Sequence, residues 1–182
     1  MDTDTLRTAS EVARRSLALY AAVAAAHGVP RDDLVEWLKE EGLWAEITPR
    51  ELRFLTQTQA PEKEQIWMTW FAEAEFVLLW SIGKVQTLPP PTSRCDTDQI
   101  IAAIPLWDST VSFFQSAALR EKQVEEEAEK AYDINVEIRK AIRQGAPIPN
   151  GYDKDVVFFR HYALNWITGY CGQAWDEITP DT

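Results

Sequence analysis

Residues 61–85, PEKEQIWMTWFAEAEFVLLWSIGKV, decide the fold. Trp67, Trp70, Phe71, Ala74, Val77 and Leu78 recur at helical steps, and Ile66 and Trp80 widen the stripe until little of the circumference is polar. A helix apolar over so much of its surface needs neighbours on most sides, which predicts the central helix of an all-α bundle. Two acids interrupt it. Glu73 falls among the apolar positions, where burial demands either a bound proton or a cationic partner. Glu75, two residues on, is expected to face solvent.

The flanking sequence is punctuated as helices and turns. Thr48 and Glu51 have capping-box spacing, with Pro49 at the first helical position of TPRELRFLTQ (48–57). PRDDLVEWLKEEG (30–42) opens with proline and acids, closes at Gly42, and sets Leu34, Trp37 and Leu38 on one face. TASEVARRSLALYAAVAAAHGVP (8–30) repeats Val12, Leu19, Val23 and Ala26 at helical intervals and stops at Gly28, with His27 placed to meet the last carbonyls.

Beyond the central helix, the three prolines of TLPPPTSRC (87–95) favour an extended linker near 88–93 that could separate two packed halves. DTDQIIAAIP (96–105) predicts about two turns of helix, with Asp96 and Gln99 at capping-box spacing. LWDSTVSFF (106–114) allows a short extended piece through its β-branched and aromatic residues. A long helix is expected from Ser116 to Gly145, with Leu119, Ala128, Ala131, Ile138 and Ile142 inward and Glu126 paired with Lys130. Asp153 then caps a final helix, KDVVFFRHYALNWITG (154–169), which Gly169 ends. Tyr162, Trp166 and Tyr170 give that helix an aromatic face, and Trp175 and Ile178 predict a tail pinned across the core. The terminal PDT could also neutralise an internal basic site. The whole reads as an irregular helical bundle of about six to eight helices with an extended C-terminal tail, one domain over 1–182.

Composition narrows the function. A chain of 182 residues, 46% hydrophobic, with eight Trp, seven Phe and five Tyr, can bury an aromatic-rich core. Twenty-nine acidic against 18 basic residues leave a net charge of −11, which repels polyanions. Arg139, Lys140 and Arg143 form only a small cluster at one helix end, so no nucleic-acid partner is expected; a neutral or basic protein fits better. The opening MDTDTLRTASEVARR has acids where a secretory signal would be basic, and the apolar run after it is too short to span a bilayer, so a cytoplasmic location without membrane association is expected. Cys95 and Cys171 lie far apart in sequence, so neither a disulfide framework nor a zinc site is expected.

No phosphate-cradling loop, H-E-x-x-H or G-x-S-x-G is present, and no cofactor or metal is expected. Asp96 with Asp98, and Asp153 with Asp155, each open a helix, where capping accounts for them. The candidate polar groups are Glu73, which Arg14, Arg15 or Arg160 could brace, and His161 with Asn165, one helical turn apart. A Cys171–His161 dyad would need the two to meet across a helix end. The leading expectation is a non-catalytic interaction or regulatory protein, inhibitor- or immunity-like, able to form a homodimer, that captures a partner through an apolar patch ringed by acids. The alternative is a small-molecule-binding protein or enzyme whose pocket gathers Glu73, His161, Asn165 and Arg14 or Arg160.

Three long strings, RRSLALYAAVAAAHGVPRDDLVEWLKEEGLW (14–44), TWFAEAEFVLLWSIGKVQTLPPP (69–91) and RHYALNWITGYCGQAWDEITPDT (160–182), together resemble the bacterial family known as domain of unknown function 4272. The resemblance covers nearly the whole chain. It implies a bacterial cytoplasmic protein and supplies no catalytic residues.

Overall fold

The computed structural model describes residues 5–180 and folds them into eight α-helices, with no strand among the described residues. They are α1 (Ala9–Ala26), α2 (Arg31–Glu40), α3 (Pro49–Thr56), α4 (Glu62–Ser81), α5 (Thr97–Ala103), α6 (Val111–Gln115), α7 (Glu121–Arg143) and α8 (Lys154–Ile167). Caps set the starts. Thr8 and Thr48 form reciprocal capping boxes with Glu11 and Glu51, and the Asp153 carboxylate accepts the amides of Asp155 and Val156. Asp96 accepts from the Asp98 amide, but Gln99 bonds the Asp96 carboxylate instead of its backbone, so that box is half formed.

α4 packs against α1 on one side and α8 on the other, and α8 in turn packs against α7. The alanines of α1, with Ala13, Ala18, Ala21 and Ala22 fully buried, let its backbone approach α4 closely. Phe71 and Phe159 meet edge-to-face across the α4–α8 seam, and Tyr162 packs on both Phe71 and Trp175. A continuous apolar cluster joins residues on both sides of the proline run. That run lies on α8: the Pro89 carbonyl accepts from Arg160 and the Pro91 carbonyl accepts the Asp153 amide at 2.9 Å.

Several expectations need correction. Glu75 is fully buried, not solvent-facing. Two residues along a helix is a turn of about 200°, so with Glu73 directed to α8 the opposite direction meets α1, not water. Residues 106–114 are not extended; they make a turn, with Trp107 in left-handed backbone (φ 67°), and then α6. The long helix starts at Glu121, because the preceding strap donates its Ala118 and Arg120 amides to the Ile82 and Ser81 carbonyls at the end of α4. Ile142 is 55% exposed, and Ala141 is the buried residue of that last turn. Lys130 pairs with Glu127, and Glu126 pairs with Lys122.

Past Gly169 the tail makes two 3-10 turns, Tyr170–Gly172 and Trp175–Glu177, before running extended to Pro180. It buries Trp175 and Ile178, and the Tyr162 hydroxyl donates to the Trp175 carbonyl. The start of the N-terminal stretch and the end of PDT, Asp181 and Thr182, lie outside the described residues. Gly169 holds a positive φ of 72°, and a Cβ there would lie 2.3 Å from the Thr5 carbonyl oxygen. Gly169→Ala is therefore expected to lower the unfolding free energy by about 2 kcal/mol or more, read by urea denaturation, from left-handed strain plus a backbone clash.

Candidate functional site

Glu73 and Arg160 form a buried ion pair between α4 and α8, with Arg160 Nε donating to Glu73 Oε2 at 3.0 Å. The other carboxylate oxygen accepts the Cys95 amide at 2.6 Å, and Arg160 Nη1 donates to the Pro89 carbonyl at 2.5 Å. One guanidinium thus ties the central helix, the final helix and the proline run together. Burial, with Glu73 alongside, pushes the Cys95 thiol far above its ordinary range, so it stays protonated. Of the three arginines expected as partners, Arg14 lies elsewhere: its side chain is 45% exposed, near Glu46 and over the Phe114 ring. Arg15 instead pairs with Glu51, one Nη contacting both carboxylate oxygens at 2.7 Å.

Glu75 makes a second buried cluster. It accepts from the Ser16 hydroxyl at 2.5 Å, and its other oxygen has no hydrogen-bond partner. Burial raises its carboxyl to about 8, against the opposing pull of Ser16 and Arg15, so the group is mostly protonated at neutral pH. Its only sequence signal was its place within the same apolar helix as Glu73.

His161 lies apart from Glu73, buried where α8 faces α7. Asn135 Nδ2 donates both to the Pro180 carbonyl and to His161 Nδ1, each at 3.1 Å, which makes Nδ1 the acceptor and puts the ring proton on Nε2, towards Asn165. Burial, aided by the Arg139 charge, lowers His161 to about 4, so the ring is neutral near pH 7. Asn165 Nδ2 donates to the Thr179 carbonyl and Arg139 to the Pro180 carbonyl. This network grips the tail by its backbone. Asn135, which is not among the candidate residues expected from the sequence, is its hinge.

Above that network opens a cleft of about 490 Å³. His161, Asn165 and Thr168 line it from α8; Glu125, Glu129 and Asp133, at successive i,i+4 steps, line it from α7. Tyr132, 48% exposed, and Tyr170, 38% exposed, supply its aromatic surface. The candidate residues therefore fall into two groups: Glu73 with Arg160 inside the bundle, and His161 with Asn165 at the floor of an acidic, aromatic cleft. Cys171 sits exposed on the turn beyond α8, with φ 53°.

The chain belongs to the family described as domain of unknown function (DUF4272), whose model matches residues 1–178. No curated protein and no solved structure matches it. No helix among the described residues is long and apolar enough to cross a membrane.

Proposed function

We propose that this is a non-catalytic interaction or regulatory protein of the bacterial cytoplasm, of inhibitor or immunity type, which captures a basic segment of a protein partner in the α7–α8 cleft. The observation that carries this reading is the pairing of exposed Tyr132 and Tyr170 with the carboxylates of Glu125, Glu129 and Asp133 around one concavity. Aromatic rings offer contact area at little entropic cost, and the acids select lysine or arginine and steer their approach. The chemistry beneath the cleft favours binding over catalysis: the His161 ring nitrogens face Asn135 and Asn165, and its proton affinity is too low for general-base work near pH 7. A pocket combining Glu73 with His161 has less support, because Arg160 and Cys95 already engage both Glu73 oxygens.

Fluorescence anisotropy with a labelled peptide of alternating lysine and phenylalanine tests the proposal. The triple variant Glu125→Gln, Glu129→Gln, Asp133→Asn is expected to weaken binding by about tenfold or more, since a charge-assisted contact is worth roughly 1.5–3 kcal/mol. Asp32→Asn, Glu36→Gln, Glu40→Gln removes as many exposed acids, at the same spacing, from α2. That control should change affinity less than about threefold, because surface charges beyond a Debye length of about 8 Å are screened. Equal losses in the two variants would mean that overall charge, not the cleft, binds the peptide.

A further inference from the structure

A second concavity, of about 660 Å³, lies between α3, the first turns of α4 and the start of α8. Its volume falls in the range of roughly 300–1,000 Å³ typical of small-molecule sites. Trp67, Trp70 and Phe159 form its apolar wall. The rings are fixed: Trp70 stacks on Phe159 with 10° between planes, and the Arg94 guanidinium covers Trp70 at 3.8 Å. Phe159 also packs on Trp67 at 4.9 Å. A wall this braced is a preformed surface, which lowers the entropic cost of binding a flat ligand.

The rim gathers cations. Arg50, Arg53 and Lys63 line the concavity, and none of the three is in a salt bridge among the described residues. Arg50 lies over the Trp67 ring at 5.2 Å. Of the two acids of the lining, Asp155 pairs with Lys154, while Glu64 accepts only from the neutral Gln57 amide and keeps its charge, so three cations face one uncompensated anion. In a protein of net charge −11, three unpaired cations converging on one aromatic wall mark a local reversal of sign. The Trp67 indole N–H is buried in the wall with no acceptor, a donor still unsatisfied.

We propose that this concavity binds a small aromatic carboxylate, its ring against Trp67 and the exposed Ile66, with the buried Phe159 behind them, and its carboxylate held by Arg53 and Lys63. Flat apolar surface beside unpaired cations matches an aryl ring beside an anion. A polyanion would meet the acidic surface around the site, whereas a single carboxylate responds mainly to charges within about 8 Å at physiological salt. The site is separate from the α7–α8 cleft and shares no lining residue with it.

Isothermal titration with 2-naphthoate, and with 2-naphthamide as its uncharged counterpart, tests the assignment on the full chain. Saturable naphthoate binding is expected, with the amide about tenfold weaker or more. Arg53→Gln with Lys63→Gln should remove that difference by weakening naphthoate about tenfold while leaving the amide unchanged. Both side chains are exposed, so an unchanged thermal midpoint will show that the fold is intact. The triple α7 variant should bind naphthoate as wild type does, which keeps this test separate from that of the cleft. Absence of saturable naphthoate binding, equal affinity for acid and amide, or full affinity in the double variant would each overturn the proposal.

Discussion

Arg160→Ala is expected to lower the unfolding free energy by about 3–5 kcal/mol, the cost of leaving a buried carboxylate without its counter-charge. The size follows from burial and from the number of partners. Glu73 and Arg160 are both sequestered, and the guanidinium also holds the Pro89 carbonyl. Replacing both partners, as in Glu73→Gln with Arg160→Met, should cost clearly less than Arg160→Ala alone, because no charge is then stranded. Urea denaturation of wild type, Glu73→Gln, Arg160→Met and the double variant closes a cycle that measures the coupling. Arg14→Ala provides the contrast: its pair with Glu46 is solvent-exposed and 3.6 Å long, and its loss should cost at most about 1 kcal/mol. A cost for Arg160→Ala near that of Arg14→Ala would show that the brace contributes little.

The second large effect is a pH dependence carried by Glu75. The folded carboxyl sits at about 8 against an ordinary 4.5, raised first by burial. Its contribution to stability is complete below the unfolded value and is lost as pH rises through 8. Each pH unit of that window is worth about 1.4 kcal/mol, so the whole carries on the order of 5 kcal/mol. His161 acts in the opposite sense: lowered from 6.5 to about 4, it contributes fully above 6.5 and loses its contribution as pH falls through 4. Between 4.5 and 6.5 the two slopes oppose one another. Above 6.5 only Glu75 of this pair still changes, and wild-type stability should fall by about 2 kcal/mol from pH 6.5 to 8. Glu75→Gln mimics the protonated acid and should flatten that decline, which chemical denaturation at a series of pH values reads directly. An equally steep decline in the variant would assign the effect to other groups.

The bundle was legible from local chemistry, because caps, prolines and helical periodicity act within a few residues. Thr48 with Glu51, Asp153, and the apolar run around Trp70 all did in the structure what their spacing demanded. What failed depended on neighbours distant in sequence. Glu75 was placed in water because a polar residue opposite Glu73 has no local reason to be buried; α1, some 60 residues away, buries it. Arg15 gave no sign that Glu51, already a capping residue, would also be its ion-pair partner. The concavity beside Trp67 escaped for a related reason. Its aromatics sit on the core helix and its cations on α3 and the first turn of α4, and only packing brings them to one surface. His161 and Asn165 were recognised as a pair, but Asn135, which orients the imidazole, comes from a helix that α8 meets only in the fold.

The most direct test of the functional reading is amide chemical-shift mapping of the ¹⁵N-labelled protein titrated with the lysine–phenylalanine peptide. A basic partner seated in the cleft should move the amides of residues 125–136 and 161–170 together and saturably, leaving α2 and α5 unmoved. Small shifts scattered over every acidic surface, without saturation, would contradict capture in the α7–α8 cleft and with it the proposed role.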